Sequence, residues 1–420
     1  MAQWDRSAHT ERSGRPDTYR KRAVIPPAIA LATIILATST SAAWRQNPKE
    51  ADRSDRSEEV RIKALHKAAD LIGQHDFASA EKTLQVLLKQ SPQDAVALNL
   101  LGFVEMQQHN REAAEKLFRQ AINTGQPIVG PRINLALLQA TVQPLQALTE
   151  LGEALKLAPQ NQQAQSLVRS IEKASSLNAM RAGEKDKALA IVLQARRALP
   201  NNPEILYDLG MVSLELGLNE DAEKAFEEAL RQRPEYDEAI YGLARAYLAR
   251  SHAKQAEETI RKYLRRRPED ASAYYGLGYI LLAEQQLEDA RAAFEKSLVL
   301  QPNQTESEFQ LGEIAVEQGD QNSAREHFTK VLSRDPHHAG ALTEIGVFAF
   351  RSSEYDVAKT TLKQAIASAP TYQKAHYYYA LTLAKLGNKA EAEQEFDISR
   401  RLEKSHTAES HLLTPQLTHQ

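Results

Sequence analysis

Small and apolar residues return along this chain at a fixed step. Between Pro203 and Leu402, alanines stand at Ala222, Ala256, Ala290, Ala324, Ala358 and Ala392, each 34 residues after the last. Glycine or alanine keeps the same step at Gly210, Ala244, Gly278, Gly312, Gly346 and Ala380. Proline closes it at Pro234, Pro268, Pro302, Pro336 and Pro370. A fixed period of this size predicts a stack of identical supersecondary units. Each unit reads as two antiparallel helices joined by a short turn, as at Gly217-Leu218-Asn219, Gly319-Asp320 and Gly387-Asn388. The small residues at the eighth and twentieth positions are expected where the two helices cross, because a larger side chain would push the axes apart. Phe226, Phe294, Phe328 and Phe396 are expected to fill the space between a unit and its successor. The closing proline ends the second helix.

The residues that keep phase also carry a family pattern. The unit from Pro203 holds Leu209-Gly210, Ala222-x3-Phe226 and Pro234, and that from Ala271 holds Leu277-Gly278, Ala290-x3-Phe294 and Pro302. This spacing resembles the tetratricopeptide repeat. The family's tryptophan slot departs from the pattern and holds Leu206, Ile240, Tyr274, Glu308, Leu342 and His376. The resemblance implies an all-α fold: an α-solenoid of about ten helix-turn-helix units forming a right-handed superhelix.

The phase extends backwards. Ala68, Ala80 and Pro92 fit a unit at 61–94, and Leu101-Gly102, Ala114-x3-Phe118 and Ala121 fit one at 95–128. A third unit, 129–161, is one residue short. The fourth breaks the rhythm, since Pro159 to Pro200 is 41 residues, the period plus seven. Ala188-x3-Val192 fixes its second helix, so the excess belongs to its first, from Gln162 to about Arg181. Seven residues are close to two helical turns and keep the same face inward. The array thus divides into 58–202, including the lengthened unit 162–202 as a longer helix or a hinge, and six regular units over 203–404.

The flanks lack this pattern. Residues 1–22 are polar and end in Arg20-Lys21-Arg22, and they are expected to be disordered. Residues 23–44 carry no charge. Their apolar part, Ala23 to Ala37, has the length of a signal-peptide core, and small residues up to Ala43 suit a cleavage site. The full stretch also just suffices to span a bilayer. Signal peptide and retained transmembrane anchor both stay open, and the basic cluster before the stretch puts the repeats on the outer, periplasmic or extracellular side. Residues 45–57 read as a charged linker, with Ser57 as N-cap of the first helix. The tail 405–420 is polar and aperiodic, with disorder expected.

Composition narrows the chemistry. The 420 residues carry a formal net charge of −3, so no overall field points to nucleic acid. Without cysteine there is no disulfide, thiol catalysis or cysteine-ligated zinc. No phosphate loop, metalloprotease motif or nucleophile elbow occurs. His337-His338 lies in an inter-unit turn without further ligands close in sequence. The run from Arg261 to Arg267 reads as a solvated helix end, favoured there by the helix dipole. Cofactor, metal and catalytic residues are all expected to be absent.

By the resemblance, first helices line a groove that binds extended peptides or partner helices. At position five stand Tyr207, Tyr241, Tyr275, Phe309 and Tyr377, with Thr343 interrupting, and at position nine Arg245, Tyr279 and Glu313. These form the candidate partner-binding strip, suited to apolar anchors or to packing. The family's Lys/Asn clamp for a C-terminal carboxylate is not matched. The expected function is a non-enzymatic scaffold for protein–protein interaction at the cell envelope. The alternatives are a membrane-anchored assembly or secretion component, and an accessory subunit that recruits substrate to a separate enzyme.

Overall fold

The computed structural model describes residues 48–412, with side chains from 57 to 404, and shows twenty α-helices and no strand among them. The chain divides into two compact units, the first ending at Ala246 and the second starting at Tyr247. The first contains α1 (Pro48–Gly73), α2 (Phe77–Gln90), α3 (Ala95–Gln107), α4 (Arg111–Asn123), α5 (Gly130–Gln139), α6 (Pro144–Leu157), α7 (Gln162–Arg181), α8 (Lys185–Ala198), α9 (Pro203–Glu215) and α10 (Asn219–Gln232). Helix α11 (Asp237–Ala249) holds the point of division. The second unit continues with α12 (Ala253–Arg266), α13 (Ala271–Ala283), α14 (Leu287–Leu300), α15 (Thr305–Glu317), α16 (Gln321–Arg334), α17 (Ala339–Arg351), α18 (Tyr355–Ser368), α19 (Gln373–Lys385) and α20 (Lys389–Leu412). Within each unit consecutive helices pair and each pair packs on the next, which is the α-solenoid expected from the period.

Local chemistry starts and stops these helices. Asp94 Oδ1 accepts from the N–H groups of Val96 and Ala97, Asn202 Oδ1 from Ile205, and Asp270 Oδ1 from Ala273. Each side chain satisfies donors that a helix start leaves without an intrahelical partner. Pro203 follows its cap as the first helical residue, where the missing N–H costs nothing. The turn inside each pair closes in one way almost throughout. Leu218 N–H donates to Ser213 O at 2.9 Å around Gly217 at φ 73°, and Gln286 N–H donates to Leu281 O at 2.9 Å around Gln285 at φ 61°. This is the Schellman closure, which needs one left-handed residue. The short third unit closes differently: Gln143 N–H bonds Gln139 O at 2.8 Å.

Packing within a pair follows the small residues. Ala80, Ala114, Ala147, Ala188 and Ala222 are fully buried in the first unit, as are Ala256, Ala290, Ala324 and Ala358 in the second. A Cβ on Gly210 would stand 2.6 Å from Phe226, and one on Gly312 would stand 2.6 Å from Phe328. Phe118, Phe226, Phe294 and Phe328 are completely buried. Phe396 is only half-buried. Its unit has Ala380 and not glycine at the eighth position, and no further described pair follows α20 to cover it.

Two boundaries differ from the sequence reading. Helix α1 begins at Pro48, so the segment read as linker 45–57 is helical from Pro48 on, and Ser57 lies inside the helix and not at its cap. Glu, Ala, Arg and Lys are good helix formers, and they extend the helix without an apolar period to announce it. Helix α20 likewise runs to Leu412, past the point where the tail 405–420 was expected to lose order. The excess of the fourth unit is carried by α7, 20 residues long against 13 for α9. The compact units divide inside α11, not at this lengthened unit. The N-terminal segments 1–22 and 23–44 lie outside the described residues. Among the described residues no helix is long and apolar enough to cross a membrane.

Candidate functional site

The position-five and position-nine side chains do not form one uniform surface. In the first unit, Tyr207 is half-buried, its ring 5.9 Å from Phe226 and 5.3 Å from Tyr236. Arg233 lies 4.9 Å over Tyr236 and binds Glu204 at 2.5 Å, closing that edge. Tyr241 and Arg245 are also half-buried. The Arg245 guanidinium reaches Met211 Sδ at 3.9 Å, and burial pulls its pKa down to about 10.

The first unit also contains two buried polar pairs that the sequence reading passed over. Asn134 Nδ2 donates to Asn99 Oδ1 at 2.9 Å, linking α5 to α3. Glu172 of α7 and Asp208 of α9 are 2% and 8% exposed, and their carboxyl groups interact with each other. Ser176 Oγ donates to Glu172 at 3.0 Å and Lys173 Nζ to Asp208 at 2.5 Å.

In the second unit, position five is partly interior. Tyr275 is fully buried, with Phe294 at 5.8 Å and Tyr279 at 6.4 Å. Phe309 is 5% exposed, 5.5 Å from Phe328 and 4.7 Å from the His338 ring, and a Cβ on Gly340 would stand 2.7 Å from it. Tyr275 and Phe309 are therefore packing residues with no face to offer a ligand. This corrects their place in the strip. Thr343, where the aromatic row is interrupted, is buried and donates to Ala339 O at 2.7 Å. Tyr279 and Glu313 are half-buried, and Tyr377 is 42% exposed with Phe396 at 5.9 Å.

Glu313 stands in an ionisable cluster. One carboxylate oxygen is buried without a hydrogen-bond partner. Burial, and then the charge of Glu344, push its pKa up to about 7, while Lys374 and His338 pull it down. Glu344 is itself buried and paired with Lys374. Burial and these two carboxylates raise the Tyr372 hydroxyl to about 12. The signal for Glu344 was present in the sequence: it and Asp208 share the sixth position, where the other regular units have Gly242, Gly276, Gln310 and Tyr378.

The remaining candidates serve structure. His338 Nδ1 accepts from Ala341 N–H at 3.1 Å and caps α17. Arg261 binds Glu257 at 2.7 Å along an exposed helix end, and Tyr263 donates to Asp270 at 2.7 Å. No group of His, Asp or Glu that could hold a metal ion occurs among the described residues. In the tryptophan slot, Glu308 is surrounded by His327 at 2.8 Å, Lys330 at 3.6 Å and Arg334 at 3.8 Å. His376, in the same slot, binds Glu395 at 2.6 Å and Pro370 O at 2.9 Å.

Comparison with known families agrees with this architecture. Tetratricopeptide repeat models match residues 65–127, 174–237 and 349–403, and a further one matches 214–278. The model described as the cytochrome c-type biogenesis protein H TPR domain matches residues 257–375. No curated protein sequence matches this chain. Among solved structures, MamA 41-end from Desulfovibrio magneticus RS-1 is 30% identical over 41% of this chain and 96% of its own, with a TM-score of 0.38. YrrB, described as a TPR protein with an unusual peptide-binding site, is 24% identical over 44% and 95%, with a TM-score of 0.35. The APC/C hetero-tetramer Cut9-Hcn1 is 14% identical over 85% and 90%, with a TM-score of 0.44.

Proposed function

We propose that this chain, which carries tetratricopeptide repeats, is a non-catalytic scaffold that binds peptides or helices of other proteins along its first helices. The observation that carries the reading is the half-buried state of side chains on those helices, taken unit by unit: Tyr207, Tyr241 and Arg245 in the first unit, and separately Tyr279 and Glu313 in the second. Such side chains are held by the fold yet keep an accessible face. A preformed surface of this kind limits the ordering cost of association. Aromatic rings with a polar end supply contact area at low entropic cost.

Crosslinking and co-purification from the native cell test it, with Tyr241→Ala and Tyr279→Ala introduced singly. Each change is expected to deplete a partner bound at its own unit. Undiminished recovery with both would sink the assignment.

A second reading is an assembly component at the cell envelope. It is supported by the match of 257–375 to the cytochrome c-type biogenesis protein H TPR domain, and it uses the uncharged stretch 23–44 as an anchor with the repeats outside. Mass measurement of the mature N-terminus tests it: a chain starting at Trp44 removes the anchor.

A further inference from the structure

Glu172 occupies an unusual place. Counted back sixteen residues from Ala188, it falls in the tryptophan slot of the lengthened unit, as Glu308 does counted back from Ala324. Both glutamates are buried, 2% and 5% exposed. Their surroundings are opposite. Glu308 has His327, Lys330 and Arg334 around it. Glu172 interacts with a second buried carboxylate, Asp208, to which the adjacent Lys173 is bound at 2.5 Å, and Ser176 Oγ donates to Glu172 at 3.0 Å. Two carboxylates that close cannot both ionise cheaply in a buried site.

We propose that Glu172 and Asp208 hold α7 to α9 by sharing one proton, and that losing it opens this seam in mildly alkaline solution. Protonated Glu172 donates its O–H to the Asp208 carboxylate, whose charge Lys173 balances. On ionisation the proton goes to solvent, leaving two buried negative charges against one ammonium that is 61% exposed.

The remaining charged groups nearby are already engaged. On α9, Glu204 binds Arg233, with Arg169 of α7 also on its side. Burial, then the Asp208 charge, push the Tyr236 hydroxyl up, so it remains neutral. On α6, Glu150 holds Arg132 and Glu153 holds Lys156. On α8, Lys187 holds Glu184 and Arg196 holds Glu228. None supplies Glu172 with a cation. Burial, and then Asp208, raise the Glu172 pKa from 4.5 to about 8, and burial raises that of Asp208. A raised folded value gives stability that is complete below the ordinary carboxylate range and is lost as pH rises through the raised value.

Amide hydrogen exchange of the full chain, corrected for the intrinsic pH dependence, tests this in peptides from α7 and α9. Between about pH 6 and about pH 9, protection there is expected to fall at least roughly tenfold, the change that one unit of pKa shift represents. Glu172→Gln keeps a neutral donor to Asp208 and is expected to hold protection level across that range. Protection in the unaltered chain that does not change with pH, or a Glu172→Gln profile that follows it, overturns the proposal. Should Glu172→Gln not fold, Asp208→Asn is measured instead. It removes the second charge but leaves Glu172 buried, so the fall in protection with pH is expected to become smaller, and a fall as large as in the unaltered chain is again fatal.

Discussion

The ring of Phe226 fills the space in which Gly210 would carry a β-carbon, 2.6 Å away, and a β-carbon on Gly242 would meet the same ring at 2.6 Å. The phenylalanine is thus wedged between its own pair and the next, and has nowhere to move. Gly210→Ala is expected to destabilise the first unit by about 1–3 kcal/mol through overpacking. Phe226→Ala is expected to cost about 3–5 kcal/mol by leaving a cavity. Denaturant unfolding checks both, and exchange protection should fall in the flanking pairs first, because only neighbouring repeats touch.

The turns offer the opposite experiment. Ser251, Gln285 and Ser353 stand at positive φ in the position that Gly217, Gly319 and Gly387 occupy in other repeats. A side chain in this conformation costs about 1–2 kcal/mol, partly offset by the greater freedom that glycine has in the unfolded chain. Gln285→Gly and Ser353→Gly are each expected to raise the melting temperature slightly. Gly319→Val is expected to lower it.

Tyr275 and Phe309 separate packing from recognition. Tyr275→Ala and Phe309→Ala are expected to lose about 3–5 kcal/mol of stability, measured by thermal unfolding. Tyr279→Ala, at a half-buried position, is expected to lose partner binding with a much smaller stability change. Equal unfolding costs at Tyr275 and Tyr279 would remove the distinction.

Glu313 makes the second unit sensitive to pH. It holds its proton more tightly in the folded chain than in the unfolded one. The stability it contributes is complete below about 4.5 and is lost as pH rises through about 7. Glu313→Gln is expected to raise stability at about pH 8 by roughly 2–3 kcal/mol, and to leave it unchanged at about pH 4. Paired unfolding curves at the two values decide it. A uniform offset at both would mean that the substitution acts through packing.

Much of the fold was legible because its determinants repeat. The alanines at the twentieth position and the glycines opposite phenylalanine announced each helix crossing by recurring in phase. The helix ends at Pro48 and Leu412 were not legible, since charged residues of good helix propensity extend a helix without an apolar stripe. The site was harder to read. Position five holds aromatic residues whether the ring is interior, as at Tyr275, or exposed, as at Tyr377, and Gly340 across from Phe309 decides the matter only in three dimensions. The Glu172–Asp208 pair joins residues 36 apart, neither of which carries a motif.

The caps described above fix where a repeat can be cut. The N-cap of a first helix is the last residue of the preceding period, as Asp270 is for α13 and His338 for α17. A cassette taken from Ala271 would leave its cap behind, whereas the 34 residues from Asp270 to Asn303 carry it. The unit that can be copied, moved or deleted intact is therefore offset by one residue from the helical hairpin that the eye picks out.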